Sequence, residues 1–150
     1  MFIKIKLRTP ASLVGEIVKI GCNVDKAGTA PSGRVQFGFE YCDGSANWQI
    51  HSCDGAGHDS NFDTLKAVVA NTVYGFTLEY NPGVSTVLYF DDGTIKTKTT
   101  DAPSTGSSTE ADVLKVSISN NAGNTTSKTF QVIGACMGYT TNDTKWLQQP

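Results

Sequence analysis

The chain has 150 residues, of which 17% are charged, and its formal net charge is −2. This length can bury one sizeable core, whereas two half-length pieces would be too small to be stable alone. The near-neutral charge provides no clustered basic face of the kind that nucleic acid requires. No apolar run approaches the roughly 20 residues that span a bilayer. We therefore expect one domain whose partners are neither nucleic acid nor membrane.

The first predicted strand covers residues 2–8, where Ile3, Ile5 and Leu7 alternate with three cations. A period of two places the apolar side chains on one face and the cations on the other. The strand is therefore predicted to be solvated on one side, and an edge position is a further expectation, because outward lysines commonly guard an edge. Because the same stretch lacks an unbroken apolar core, no signal peptide is predicted.

The four cysteines, Cys22, Cys42, Cys53 and Cys136, allow three pairings. Cys42 and Cys53 flank a predicted loop of ten residues, and a disulfide between them would contribute about 2 to 3 kcal/mol. Cys22 and Cys136 would then join early and late strands. Free thiols are the alternative.

A structural zinc site is a further alternative, because Cys42, His51, Cys53 and His58 offer two thiolates and two imidazoles. Structural zinc sites usually bring in close pairs of cysteines, and only His51 and Cys53 are close here. We therefore expect a chain without a metal or other cofactor.

Residues 51–59 form a polar, glycine-rich segment that is predicted to be a loop beside Trp48. Sugar sites of β-sandwiches combine an aromatic platform with acidic and amide side chains. The candidate ligand-binding residues are therefore Trp48, His51, Asp54, His58, Asp59 and Asn61. Calcium bound by the acids of this segment is an alternative, although their spacing does not match a dedicated calcium loop. Ordinary turn residues and a half-buried strand tryptophan are the other interpretation.

Three strands are predicted between residues 71 and 103. Aromatic and aliphatic residues alternate with polar ones from residue 74 to 80, Asn81-Pro82-Gly83 forms a turn, and a second strand runs from Ser85 to Phe90. Asp92-Gly93 is a strong signal for a tight hairpin, so Thr94 to Thr100 is predicted to be the returning strand.

The order of these parts resembles the concanavalin A-like lectin and glucanase family, in its laminin-G-like branch. Tyr89-Phe90-Asp91-Asp92-Gly93 is the counterpart of the Phe-Tyr-Val-Asp-Gly hairpin of that branch. Residues 35–40 resemble its earlier sheet strand, and residues 114–118 and 129–132 resemble its closing strands. The resemblance implies an all-β, antiparallel β-sandwich of the jelly-roll type over residues 1–139, followed by a tail over residues 140–150.

Catalysis is not expected. Glucanases of this fold carry Glu-x-Asp-x-x-Glu on one strand, so that alternate carboxylates enter one groove. The four glutamates of this chain are Glu16, Glu40, Glu79 and Glu110, and none has an aspartate two residues later. No nucleophile motif accompanies the two histidines either.

The tail contains Trp146 and Leu147 in a polar context, which suggests an anchor against this domain or a neighbouring subunit. Patterns similar to this one occur among virus and phage surface proteins. The first hypothesis is therefore a non-enzymatic, homo-oligomeric virion component, a decoration or fibre protein, that stabilises a shell or contacts host glycans. The second is a carbohydrate-binding domain of a larger secreted protein, and the third is a small glycoside hydrolase. The predicted location is the virion surface or the extracellular space.

Overall fold

The computed structural model describes residues 1–22, 35–54, 59–102, 114–120 and 128–138. In these ranges the chain forms ten strands. Their bounds are β1 Phe2–Arg8, β2 Glu16–Cys22, β3 Val35–Cys42, β4 Asn47–Asp54, β5 Asp59–Ala67, β6 Val73–Asn81, β7 Ser85–Phe90, β8 Ile95–Lys98, β9 Leu114–Asn120 and β10 Gln131–Gly138. Within the same ranges, no helix is long and apolar enough to cross a membrane.

The strands form two five-stranded sheets. Sheet A has the order β10-β1-β6-β7-β8, and sheet B has the order β5-β4-β3-β2-β9. Neighbouring strands pair in the antiparallel direction in both sheets. The predicted all-β antiparallel sandwich is therefore confirmed.

The core between the sheets is rich in aromatic rings. Trp48 of sheet B is fully buried, and its ring centroid lies 5.0 Å from that of Phe76 and 5.5 Å from that of Tyr74, both on sheet A. Both contacts have the edge-to-face geometry that aromatic pairs prefer. The alternation predicted for β6 is confirmed, since Tyr74, Phe76, Leu78 and Tyr80 are buried and the residues between them are half-buried.

The two predicted turns are present on either side of β7. Gly83 has a φ of 65° and Gly93 a φ of 86°, which are left-handed values that glycine adopts without strain. The returning strand β8 covers Ile95–Lys98, so it is shorter than the predicted segment.

The prediction that residues 2–8 form an edge strand is wrong. Strand β1 pairs with β10 on one side and with β6 on the other. Its lysines are exposed because they lie on the outer face of sheet A, which solvent contacts. Outward lysines therefore mark a solvated face here, not an unpaired edge.

The segment predicted to be a loop before residue 55 is strand β4. Trp48, Ile50 and Ser52 point into the core, and the residues between them point out. The outward residues Gln49 and His51 are polar because they belong to the outer face of sheet B, so the segment looked like a loop.

The structure also corrects the predicted disulfides. Cys22, Cys42 and Cys136 are thiols. Cys22 points into the core and lies 3.7 Å from the sulfur of Met137, whereas Cys136, the neighbour of Met137, points outward. Cys53 pairs with Gln36, six residues along β3 from Cys42, so the backbones of Cys42 and Cys53 are about 20 Å apart. Neither predicted pair can be bridged at these positions.

Gly38 allows β2 and β3 to approach closely. A Cβ at this position would lie 2.4 Å from the carbonyl oxygen of Ile20, and backbone atoms cannot move away as a flexible side chain can. A Cβ at Gly134 would meet no atom within 4 Å.

We therefore expect Gly38→Ala to lower the free energy of unfolding by about 2 kcal/mol or more, because overpacking forces the backbone to shift. Gly134→Ala is the matched control and should change it by less than about 0.5 kcal/mol. Urea denaturation of both variants measures the difference. Equal stability of the two variants would contradict the close approach at Gly38.

Candidate functional site

A row of polar side chains crosses the outer face of sheet B. Phe39 and Tyr41 are buried in the core, so Glu40 and Cys42 between and beside them point to the opposite face of β3. Lys19 of β2 pairs with Glu40, and the pair His51–Asn61 lies two residues further along, in register with Gly38 of β3. We call the set Lys19, Glu40, Cys42, His51 and Asn61 the sheet B cluster.

Glu40 is the centre of this cluster. Its Oε1 accepts a hydrogen bond from Asn61 Nδ2 at 2.7 Å and another from the Cys42 thiol at 3.3 Å. Its Oε2 lies 3.3 Å from Lys19 Nζ and 3.9 Å from His51 Nδ1. One carboxylate therefore connects side chains from β2, β3, β4 and β5.

Asn61 connects His51 to Glu40. Its Oδ1 lies 2.9 Å from His51 Nδ1, while its Nδ2 donates to Glu40. Because an amide oxygen only accepts, the hydrogen of this pair belongs to His51 Nδ1. The orientation of the amide and the tautomer of the imidazole are thus set by the same carboxylate.

Three members of the cluster are deeply buried although they lie on the outer face, whereas Cys42 is half-buried and Asn61 is exposed. Glu40 and His51 are each 2% exposed and Lys19 is 5% exposed. A buried carboxylate is tolerated only with a cation and hydrogen-bond donors around it, and Lys19, Asn61 and Cys42 supply them.

The same surroundings change the acidity of Cys42. Burial, followed by the charge of Glu40 and the hydrogen bond to it, raises the pKa of Cys42 to about 12. The thiol therefore stays protonated at neutral pH and acts as a hydrogen-bond donor, not as a nucleophile.

Toward β5 the polar face becomes accessible. Gln49 lies between Glu40 and Asp63 in the register of β3, β4 and β5, and Asp63 is exposed. The carboxylate of Asp63 accepts hydrogen bonds from Asn47 Nδ2 at 3.2 Å and from the backbone N–H of Leu65 at 2.7 Å. A half-buried amide and an exposed carboxylate are thus held beside a buried polar network.

Acidic residues are sparse on the strands that border the cluster. The outward positions of β2 are Ile17, Lys19 and Gly21, whereas Glu16 points into the core and is fully buried.

The outer face of sheet A carries two acids that are far apart. Glu79 accepts a hydrogen bond from the Tyr89 hydroxyl at 2.9 Å. Asp91 lies beside Gly75, four residues from Glu79, so the two acids are about 13 Å apart along β6. That exceeds the roughly 5 to 9.5 Å that separates the acids of glycosidases.

The structure brings together two of the predicted ligand-binding residues, His51 and Asn61. Asp54 ends β4 and Asp59 begins β5, but their side chains lie outside what the structure describes. The predicted residues His58, Trp146 and Leu147 also lie outside the described residues.

The structure contradicts the prediction that Trp48 is a platform for a sugar ring. Its side chain is 0% exposed and packs between the sheets, because it alternates with the outward residue Gln49. No ligand can stack on this ring while the core is intact.

Lys19, Glu40 and Cys42 were not predicted as site residues. The signal that could have found them is the period of two in β3, where Phe37, Phe39 and Tyr41 alternate with the outward positions. Lys19 is a single cation inside the apolar run of β2, and such an isolated charge needs a buried partner.

Among the described side chains, no group of three or more histidines, cysteines, aspartates or glutamates could hold a metal ion. The zinc hypothesis also needs Cys53 and His58, whose side chains lie outside the described residues.

Solved structures share this fold. The beta-glucanase of Bacillus licheniformis superposes with a TM-score of 0.58 at 17% identity, over 89% of this chain and 61% of the glucanase chain. Chicken galectin 2 superposes with a TM-score of 0.51 at 12% identity, over 90% of this chain and 87% of the galectin. Ligand-free congerin I has a TM-score of 0.47 at 10% identity, over 89% of each chain.

No protein-family model matches the chain, and no curated protein matches it in sequence. The structural neighbours agree with the predicted antiparallel β-sandwich of the jelly-roll type.

The hydrogen bond to Glu40 predicts a difference in thiol reactivity. In dilute native protein at pH 8, iodoacetamide should label the exposed Cys136 at least about tenfold faster than Cys42, whose pKa is raised to about 12. Mass spectrometry of the tryptic peptides measures both rates. In urea the two rates should become similar, because unfolding removes both the burial and the Glu40 contact. Rapid native labelling of Cys42 would contradict the described cluster.

Proposed function

We propose that this protein is a non-enzymatic, surface-exposed β-sandwich module that binds glycans on the outer face of sheet B. The observation that carries the proposal is the sheet B cluster and its accessible margin at Gln49, Asn61 and Asp63. Carboxylate, amide and imidazole groups provide both donors and acceptors, which is what sugar hydroxyls require.

Preorganisation supports this proposal. Glu40 and His51 hold Asn61 at both ends of its amide, and Asn47 and the Leu65 amide hold Asp63. A ligand therefore meets side chains whose orientation is already fixed, so less conformational entropy is lost on binding.

The structural likenesses agree with a glycan ligand. Chicken galectin 2 is named as a galectin and the Bacillus licheniformis protein as a beta-glucanase, so both names refer to carbohydrate recognition. Since the chain spans 61% of the glucanase chain, the activity of that enzyme is not transferred to it.

The contacts and positions of the acidic residues favour binding without catalysis. Glu40 is engaged by Lys19, Asn61 and Cys42, and the outward positions of β2 contain no carboxylate. The setting that we propose is a virion surface, as a decoration or fibre protein that contacts host glycans or stabilises a shell. A carbohydrate-binding domain of a larger secreted protein would use the same face.

A small glycoside hydrolase is the second candidate. Glu40 and Asp63 point to the same side of sheet B from strands that are two apart, so their backbones are separated by about 10 Å. This backbone separation is slightly larger than the roughly 6.5 to 9.5 Å that separates the two carboxyl groups of inverting enzymes.

Removing the accessible polar groups should weaken glycan binding. After a glycan array has identified a ligand, the double variant Gln49→Ala, Asp63→Ala should bind it at least about tenfold more weakly, because two hydrogen bonds are lost. The matched control is Thr77→Ala, Glu79→Ala, which removes a neutral polar group and an acid from the outer face of sheet A. Calorimetric titration measures both affinities. Loss of binding in the control alone would move the site to sheet A and refute the proposal.

The same ligand distinguishes a glycan-binding module from a glycoside hydrolase. On prolonged incubation, the wild-type protein should release no reducing ends from it. Release of reducing ends that Asp63→Asn abolishes would show that the protein is a hydrolase and not a binding module.

A further inference from the structure

Strand β10 forms one edge of sheet A. Its eight residues, QVIGACMG, include no charged residue and no proline, and the first six are exposed. An exposed edge presents a row of unpaired N–H and C=O groups that can pair with another strand. This edge therefore carries none of the charges that usually prevent such pairing.

The other edges of the described sheets are protected. Strand β8 has only four residues and two of them are lysines. Strand β5 contains three charged residues and is distorted at Leu65, whose φ is 58°. Strand β9 carries Lys115. The sequence of each of these three edge strands thus contains at least one charged residue, whereas that of β10 contains none.

The distortion in β10 is confined to one end. Its register with β1 shifts at Ile133, so this residue has no partner in the register, whereas residues 134–138 pair regularly. The regular part consists of small residues and Met137, and it leaves a flat edge.

An apolar band flanks this edge. Val132 and Ile133 of β10 are 44% and 48% exposed, and Val116 and Ile118 of β9 are 37% and 44% exposed. Strand β9 lies beside β2 in sheet B, and β2 contacts β10 through Cys22 and Met137. The two edges therefore lie on the same side of the sandwich, and the exposed apolar side chains border it.

We propose that two copies of this chain pair through β10, as antiparallel strands about a two-fold axis, so that the two copies of sheet A form one ten-stranded sheet. An antiparallel pair of identical strands is self-complementary, as a two-fold interface requires. No like charges oppose each other across the pair, because β10 has none.

The cations of β1 do not prevent this pairing. Strand β1 is one strand away from the interface, so the two β1 strands of the pair are three strand spacings, or about 14 Å, apart. The screening length at physiological ionic strength is about 8 Å, so the repulsion between the lysines of the two copies is largely screened.

A second copy fits this edge better than a foreign peptide. In an antiparallel pair a second copy brings the same uncharged strand to the interface, so the two edges match each other. A second copy brings its own Val132 and Ile133 to the interface, and burial of these side chains adds to the main-chain hydrogen bonds.

The test uses the full chain in solution. Light scattering after gel filtration should show a dimer for the wild type, and Ile133→Lys should dissociate at a concentration at least about tenfold higher, since a charge is placed on the bare edge. The matched control is Val84→Lys, because Val84 is 64% exposed in the turn between β6 and β7. This control should remain as dimeric as the wild type.

Hydrogen exchange supplies an independent readout. Backbone amides in residues 131–138 that point away from β1 should be protected at high protein concentration and should lose this protection on dilution. A wild type that is monomeric at every concentration would overturn the proposal. So would an Ile133→Lys dimer as stable as that of the wild type, because the copies would then associate through another surface.

Discussion

The packing of Trp48 between the two sheets is the interaction on which the rest of the structure depends. Its ring contacts Tyr74 and Phe76 of sheet A and Phe39 of its own sheet. A slip of β4 by one residue would move Trp48 and Ile50 to the outer face and Gln49 and His51 into the core, so this packing fixes the register. The indole Nε1 has no hydrogen-bond partner among the described residues, which costs about 1 to 3 kcal/mol. The aromatic contacts that hold both sheets in place offset this cost. The position of His51 on the outer face follows from the same register.

Glu40 imposes the second constraint. A carboxylate that is 2% exposed must be compensated, and its partners come from three other strands of sheet B as well as its own. Removing one partner of a buried ion pair costs about 3 to 5 kcal/mol, because the remaining charge is uncompensated. Stability and the geometry of the proposed site are therefore coupled. Variants that probe binding belong at the accessible margin, at Gln49 and Asp63, and not at Glu40 or Lys19.

Local sequence patterns were sufficient to predict the strands that are consecutive in the chain and adjacent in the sheet. Strands β6 and β7 were predicted because alternation is regular there and because Pro82-Gly83 and Asp92-Gly93 mark their ends. Strand β4 was missed, because its outward residues are polar in the way that loop residues are. The edge position predicted for β1 was wrong, since outward lysines solvate a face as readily as they guard an edge. The site depends on pairing between strands, so Lys19 and Glu40 meet only in the register of β2 with β3. No spacing along the chain encodes that contact.

The proposed site and the proposed interface occupy different parts of the sandwich and support each other. The site lies on the outer face of sheet B, whereas β10 lies at the edge of sheet A. When two strands pair within one continuous sheet, the two-fold axis is perpendicular to that sheet. Both copies of sheet B then lie on the same side of the ten-stranded sheet, and their outer faces point in the same general direction. A dimer of this form can contact one glycan-covered surface with both sites, and the second contact becomes intramolecular. Weak individual sites, which a shallow and mostly pre-bonded polar face implies, would then be sufficient for stable attachment.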